Sequence, residues 1–338
     1  MLDLKNFPQK PIFIDWAITT SCNLSCAHCR YLTPKSNKKK KSSELNSQQA
    51  QILASEISQV TPQWVLIEGG EPFLRKDIFE IIRAMKSNNS ELIVFIITSG
   101  MEFSTKLALD IADLKAKVIV SVDSVNPDTY QRIRRGADFV EMINSILIAK
   151  ENKILDSINV TLQEANATPL EIKSLGRFAY LMGIPKINFL GLKPGFLGFK
   201  STKLQKHLPK LFGEIVNIQT KYNLQVYVDE PFFKSWCAKN QIFISAKSQN
   251  GPIVVEERAG CIFGEYLFIE PNGQLKPCSF SPLTIDEIGW DTILKIQNKK
   301  NRNGKCASCK YQLICGGCRV RSYVLTGDWY ASDPYCPI

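Results

Sequence analysis

Two hydrophobic rhythms alternate along the first 190 residues. Six short runs rich in branched and aromatic residues, at 11–19, 64–67, 92–98, 117–122, 157–163 and 186–191, predict strands. Between them, at 47–60, 77–87, 104–114, 139–152 and 168–182, apolar residues recur every three or four positions, as Ile52, Leu53, Ile57 and Val60 do, and predict helices. Alternation of strand and helix argues for parallel βαβ units. Six units are too few for an eight-fold barrel, so the pattern predicts a partial barrel or an open doubly wound sheet, with its site at the carboxyl ends of the strands. The rhythm fades over 196–255, a connector with a helix expected through Leu211 to Tyr222, and 256–338 is a cysteine-dense, loop-rich second domain.

Composition narrows the chemistry. A chain of 338 residues with 44% hydrophobic content can bury a sizeable core. No run approaches the roughly 18–20 apolar residues of a membrane span, and the first residues lack the apolar stretch of a signal peptide, so a cytoplasmic protein without membrane partners is expected. Eleven cysteines, an odd number, point in a reducing compartment to metal or redox chemistry rather than disulfides. The net charge of +10 draws partly on the run Lys38 to Lys41. No aromatic-interleaved basic motif accompanies it, so no nucleic-acid partner is expected.

Directly after the first strand stand Cys22, Cys26 and Cys29, spaced by three and then two residues. Three thiolates would leave one iron of a four-iron cluster without a protein ligand, as a catalytic zinc keeps an open position. A zinc site using His28 as fourth ligand, or part of a four-cysteine ferredoxin run, is the alternative. Further motifs fall at the ends of predicted strands: Gly69, Gly70, Glu71 and Pro72 after the second, Thr98 and Ser99 after the third, Ser121 and Asp123 after the fourth, and Leu190 at the end of the sixth, with Arg134 in the Tyr-Gln-Arg-Ile-Arg-Arg segment that follows the fourth.

The cysteine loop and the Gly-Gly-Glu-Pro turn together resemble the radical S-adenosylmethionine (SAM) superfamily. The resemblance implies that the open iron of a [4Fe-4S] cluster on Cys22, Cys26 and Cys29 is chelated by SAM, which the reduced cluster splits to methionine and a 5′-deoxyadenosyl radical. It also implies that Gly69 to Pro72 receive the SAM amino group. Thr98, Ser99, Ser121 and Asp123 would contact the methionine carboxylate and the ribose, Arg134 would pair with a carboxylate, and Leu190 would pack the adenine. The implied architecture is a partial (β/α)6 barrel over 1–195.

The second array, Cys261, Cys278, Cys306, Cys309, Cys315, Cys318 and Cys336, resembles the SPASM domain, an extension that binds two auxiliary [4Fe-4S] clusters. Carried across, one cluster would use Cys261, Cys278, Cys318 and Cys237, and the other Cys306, Cys309, Cys315 and Cys336. Two residues separate Cys315 from Cys318, where that pattern often has three. Three ligands and twice four account for all eleven cysteines. Within this subfamily the first expectation is modification of a ribosomally made precursor peptide, presented by a separate small leader-recognition protein, with flavodoxin or ferredoxin as reductant. The second is tetrapyrrole maturation, since Cys22 to Arg30 and the Cys-Gly-Gly-Cys-Arg and Asp-Pro-Tyr-Cys segments also resemble haem and haem d1 biosynthetic members. An iron–sulfur electron carrier or scaffold is the non-enzymatic alternative.

Overall fold

A computed structural model describes residues 8, 10–31, 43–194, 203–242 and 260–337. In chain order these form β1 (Phe13–Thr19), α1 (Ser47–Val60), β2 (Trp64–Gly69), α2 (Ile78–Lys86), β3 (Ile93–Thr98), α3 (Thr105–Asp113), β4 (Lys117–Ser121), α4 (Pro127–Ile133), α5 (Phe139–Glu151), β5 (Leu155–Leu162), α6 (Pro169–Met182), β6 (Lys186–Gly191), α7 (Lys203–Tyr222), β7 (Gln225–Val228), α8 (Phe232–Lys239), β8 (Leu267–Ile269), β9 (Leu275–Lys276), α9 (Ile285–Ile288), α10 (Trp290–Gln297), α11 (Gln312–Cys315) and α12 (Arg319–Thr326). The class is α/β with an open parallel sheet that does not close on itself, as a partial barrel requires. Among the described residues no helix is long and apolar enough to cross a membrane.

The chain divides into two compact units. The first comprises residues 1–121, 134–156 and 264–293, the second 122–133, 157–263 and 294–338. The expected domain boundaries near 195 and 255 lie outside the described residues.

In the first unit β1 pairs in parallel with β2, β2 with β3 and β3 with β4. On its other edge β1 pairs in parallel with β8, which turns into antiparallel β9. Strand alternation then sorts side chains by face. Ile14, Trp16 and Ile18 of β1, Val65 and Ile67 of β2, and Val94 and Ile96 of β3 are wholly buried. Phe13, Asp15 and Ala17 with Trp64, Leu66 and Glu68 form the opposite face, the one that carries charge. The helices begin where the sequence predicts because side chains cap them: Asn46 and Gln49 form a reciprocal capping box before α1, and Ser104 and Asp138 cap α3 and α5.

In the second unit β5 pairs in parallel with β6, and β6 with β7. Thr168 caps α6 and Gly183, in a left-handed conformation, ends it. Phe212 of α7 receives the rings of Phe233 and Trp236 of α8 edge-on, at 5.2 and 5.8 Å. Three features differ from expectation. α7 starts before the expected helix, running through Pro209 from Lys203, while α4 and β7 to β9 carried no periodic signal.

Candidate functional site

In the first unit the loop bearing Cys22, Cys26 and Cys29 leaves β1 and is held mainly through its backbone. The Glu44 carboxylate accepts hydrogen bonds from the Thr19 hydroxyl (3.0 Å), the Thr20 N–H (2.7 Å) and the Thr20 hydroxyl (2.8 Å). Arg75 donates to Ile18 O (2.7 Å) and Leu45 O (3.0 Å) and pairs with Asp77 at 2.9 Å. Farther along, Ser25 N–H donates to Arg135 O (3.0 Å), Leu24 N–H to Cys22 Sγ (3.3 Å) and Cys29 N–H to Cys26 O (3.1 Å). All three cysteines are partly exposed.

The Gly-Gly-Glu-Pro turn lies against the start of this loop. Gly70 N–H donates to Thr19 O and Glu71 N–H to Ser21 O, both at 2.7 Å. A Cβ on Gly70 would stand 2.0 Å from Ser21 O, and Gly69 has a φ of +140° with Thr19 O 2.3 Å from its own would-be Cβ. Glycine is required here by the approach of the chain's own backbone. Glu71 is buried, and its carboxylate accepts from the Thr98 hydroxyl (2.8 Å), Ser99 N–H (2.8 Å) and the Ser99 hydroxyl (2.7 Å). Burial raises its pKa above the ordinary value, and these hydrogen bonds oppose the rise in part. The structure thus joins three residues that the sequence singled out separately, Glu71, Thr98 and Ser99, into one clamp between β2 and β3.

The other expected contacts are spread over both units. Ser121, at the end of β4, and Arg134 are buried in the first, where Arg135 touches the cysteine loop through its carbonyl. Asp123 is wholly buried in the second, and its carboxylate accepts from Thr161 N–H (2.7 Å). Leu190 is half-buried in β6, and the next residue, Gly191, donates its N–H to Asp229 (2.7 Å).

Sequence reasoning noted Arg30 within a motif but gave it no role of its own. Its guanidinium lies 4.5 Å from the centre of the Phe268 ring, donates to Ser279 O (3.3 Å) and the Tyr31 hydroxyl (3.2 Å), and pairs with Glu68. The neighbour of Cys29 is thereby tied to the neighbour of Cys278 within the first unit. Its place directly after Cys29 was the signal that could have found it.

The second unit assembles another thiol set. Cys306, Cys309, Cys315 and Cys336 line one cavity with Phe232, Ser235, Tyr311, Gln312, Gly316 and Gly317. Buried guanidiniums brace the turn between Cys315 and Cys318. Arg302 donates to Gly316 O (3.1 Å) and Arg319 to Gly317 O (3.3 Å), while Arg321 holds Asp333 at 2.7 Å and Glu230 at 2.6 Å. Asp333 in turn accepts the N–H groups of Cys318 (2.8 Å) and Tyr335 (2.9 Å). Gly317 N–H points back at Cys315 Sγ, 3.4 Å away. Cys261 N–H donates to Cys315 O (3.1 Å). Cys278 belongs to the first unit, Cys261, Cys318 and Cys237 to the second. On α8, Cys237 is two residues from Ser235, about 200° around the helix, so it lies away from the cavity on the side of Phe233. Burial alone pushes its thiol up to about 12.

A tetrahedral zinc about 2.3 Å from each sulfur needs sulfurs about 3.8 Å apart. Among the described residues no three His, Cys, Asp or Glu side chains form a group that could hold one metal ion. Four cysteines lining one cavity are the donor set that a four-iron cluster takes.

Comparison with known proteins agrees with this geometry. Residues 16–164, which contain the first cysteine loop and its supporting turn, match the model of the Radical SAM superfamily. The chain carries a radical SAM domain over these residues. Such a domain takes SAM and a [4Fe-4S] cluster. Along 99% of its length the chain is 26% identical to the AdoMet-dependent heme synthase of Methanosarcina barkeri, covering 98% of that protein. It is 24% identical to the pre-heme d1 synthase of Dinoroseobacter shibae, over 97% of this chain and 86% of that one. Among solved structures, Streptococcus suis SuiB bound to precursor peptide SuiA shares its fold with a TM-score of 0.74 at 17% identity, over 97% of this chain and 76% of SuiB. Native anSMEcpe with bound AdoMet does so with 0.72 at 16% identity, over 96% and 94%.

Proposed function

We propose that the chain oxidises a side chain of a tetrapyrrole bearing carboxylates, by hydrogen abstraction driven by reductive cleavage of SAM. The observation that carries this reading is similarity along nearly the whole chain to synthases of haem and pre-haem d1. Cys22, Cys26 and Cys29 would hold the SAM cluster, which supplies a 5′-deoxyadenosyl radical when SAM is bound. Cys306, Cys309, Cys315 and Cys336 would hold one auxiliary cluster. Cys261, Cys278 and Cys318, with Cys237 as fourth, would hold the other.

The protein's own part is placement. Glu44, Arg75 and the Gly69 to Pro72 turn fix the backbone of the cysteine loop. Thr98, Ser99, Ser121, Asp123, Arg134 and Leu190 are the proposed contacts to SAM. Arg30, paired with Glu68, ties the residue after Cys29 to the backbone beside Cys278. A precursor peptide is the second reading, favoured by the fold shared with SuiB, whose structure holds one.

The test is anaerobic reconstitution followed by iron analysis and dithionite-driven turnover, with a carboxylate-bearing porphyrin and a candidate precursor peptide offered side by side. Three four-iron clusters predict about twelve irons, falling to about eight when Cys22, Cys26 and Cys29 are all changed to Ala, with loss of 5′-deoxyadenosine. A mass change in the porphyrin alone supports the first reading, and one in the peptide alone replaces it with the second. Cys237→Ala with an unchanged iron count and unchanged cluster spectra would remove Cys237 from the ligand set.

A further inference from the structure

Residues 294–338 hold five lysines and three arginines against two aspartates. The arginines, Arg302, Arg319 and Arg321, are buried around the Cys315–Cys318 turn, so the remaining positive charge of the segment belongs to the lysines. Three of them, Lys299, Lys305 and Lys310, adjoin lining residues of the four-cysteine cavity. Lys305 precedes Cys306. The Lys310 ammonium lies 5.0 Å from the centre of the Tyr311 ring, which lines the cavity. The stem of Lys299 passes Gly316, another lining residue, 3.2 Å from where a side chain there would begin. Lys300, next in the chain, is exposed, as are Lys305 and Lys310, and none of these three makes an ion pair among the described residues. The thiols differ in the same sense. Cys315 is buried, whereas Cys306, Cys309 and Cys336 are partly exposed, so the cavity reaches the surface beside the lysines.

We infer that this lysine rim is a docking surface for an acidic one-electron carrier of the ferredoxin type, which exchanges electrons with a cluster held by Cys306, Cys309, Cys315 and Cys336. The inference rests on reading that cavity as a cluster site. Electron tunnelling weakens steeply with distance, so a carrier must seat directly over the cluster it serves. Unpaired surface charges act mainly on the rate of such encounters and on partner choice. In the exchange the reduced carrier loses one electron and becomes oxidised, while the cluster gains that electron. No bond breaks and no proton moves.

The test uses the full reconstituted chain with Cys22, Cys26 and Cys29 changed to Ala, so that electrons enter only through the auxiliary sites, mixed in a stopped-flow instrument with a reduced acidic ferredoxin. The second-order rate should fall at least about tenfold between low and physiological salt, as the screening length shortens from about 30 to about 8 Å. Adding Lys300→Gln, Lys305→Gln and Lys310→Gln should lower the low-salt rate by about tenfold and flatten its salt dependence. The electron-paramagnetic-resonance spectrum of the dithionite-reduced clusters should not change. In the chain with its first cysteine set intact, dithionite-driven 5′-deoxyadenosine release should also be unaffected by the three lysine changes. Equal rates for the chains with and without the lysines, or a rate indifferent to salt, would overturn the docking surface while leaving the cluster standing. An iron content unaltered by Cys306→Ala and Cys309→Ala together would overturn the cluster reading and the docking surface with it.

Discussion

The two cysteine-bearing turns are braced by the same kinds of group set in different places. Around Cys22 to Cys29, Glu44 and Glu71 accept N–H and O–H donors, Arg75 donates to Ile18 O ahead of the turn, and Gly69 and Gly70 let two stretches of backbone touch. Around Cys315 to Cys318, Arg302 and Arg319 donate to the carbonyls of Gly316 and Gly317 inside the turn, while Asp333 accepts Cys318 N–H. Pinning carbonyls leaves N–H groups to face sulfur, as Gly317 N–H faces Cys315. Hydrogen bonds to the sulfurs are one of the levers that set a cluster's potential. The first loop has one such contact too, from Leu24 N–H to Cys22 Sγ. The comparison teaches that both turns rest on buried charge of both signs and differ in where the cation acts: Arg75 fixes the strand end ahead of the first turn, whereas Arg302 and Arg319 grip the second turn itself.

Breaking the cationic brace should have the largest effect on stability. Arg321→Met leaves Glu230 and Asp333 buried without their cation, and a loss of about 3–5 kcal/mol is expected in denaturant unfolding. The steric brace comes next. Gly70→Ala drives a Cβ into Ser21 O, a backbone atom that cannot swing aside, and should cost about 1–3 kcal/mol together with loss of SAM-dependent 5′-deoxyadenosine release. Glu71→Gln keeps the shape of the clamp but sets an amide against the Ser99 donors, a change worth about 1–2 kcal/mol at neutral pH.

The same residue sharpens the contrast through pH. Because the folded-state pKa of Glu71 lies above its ordinary 4.5, its contribution is full below that value and is lost as pH rises through the folded pKa. Stability of Glu71→Gln should therefore lack that downward slope, which unfolding curves at a series of pH values will show. The smallest effect is expected at Asp77. The Arg75 hydrogen bonds hold its pKa below 3.8, so its contribution is present above that value and fades in acid. Asp77→Asn should lose only this acid-side dependence.

The fold was legible wherever burial imposes a long rhythm. α1 spans the expected 47–60, and β6 the expected 186–191, because a packed face demands the same spacing over many residues. β8 and β9, of three and two residues, are too short for any period to show, and β1, on which β8 pairs, lies some 250 residues earlier. The cysteine sets stood out by their spacing, and in the structure Cys306, Cys309, Cys315 and Cys336 line one cavity. Glu44, Arg75 and Asp333 were not. Each acts through contacts 12 to 57 residues away in sequence, and a lone charged residue carries no local signature of such a partner. Glu71 was found for its place in a motif, but its ties to Thr98 and Ser99 belong to the fold alone.

The bridge from Asp333 to Arg321 and Cys318 also orders events in time. A ribosome adds about 5–20 residues per second, so the thirty residues from Cys306 to Cys336 take roughly 2–6 s. From Cys315 until Cys336 three of the four thiols exist without the fourth, and Arg321 emerges before one of the two carboxylates that bury it. The nascent segment has no means of closing early, because its keystone is among the later residues made. Any cluster seated there is a post-translational cargo, loaded onto a module that first becomes complete when Asp333 and Cys336 have both left the exit tunnel.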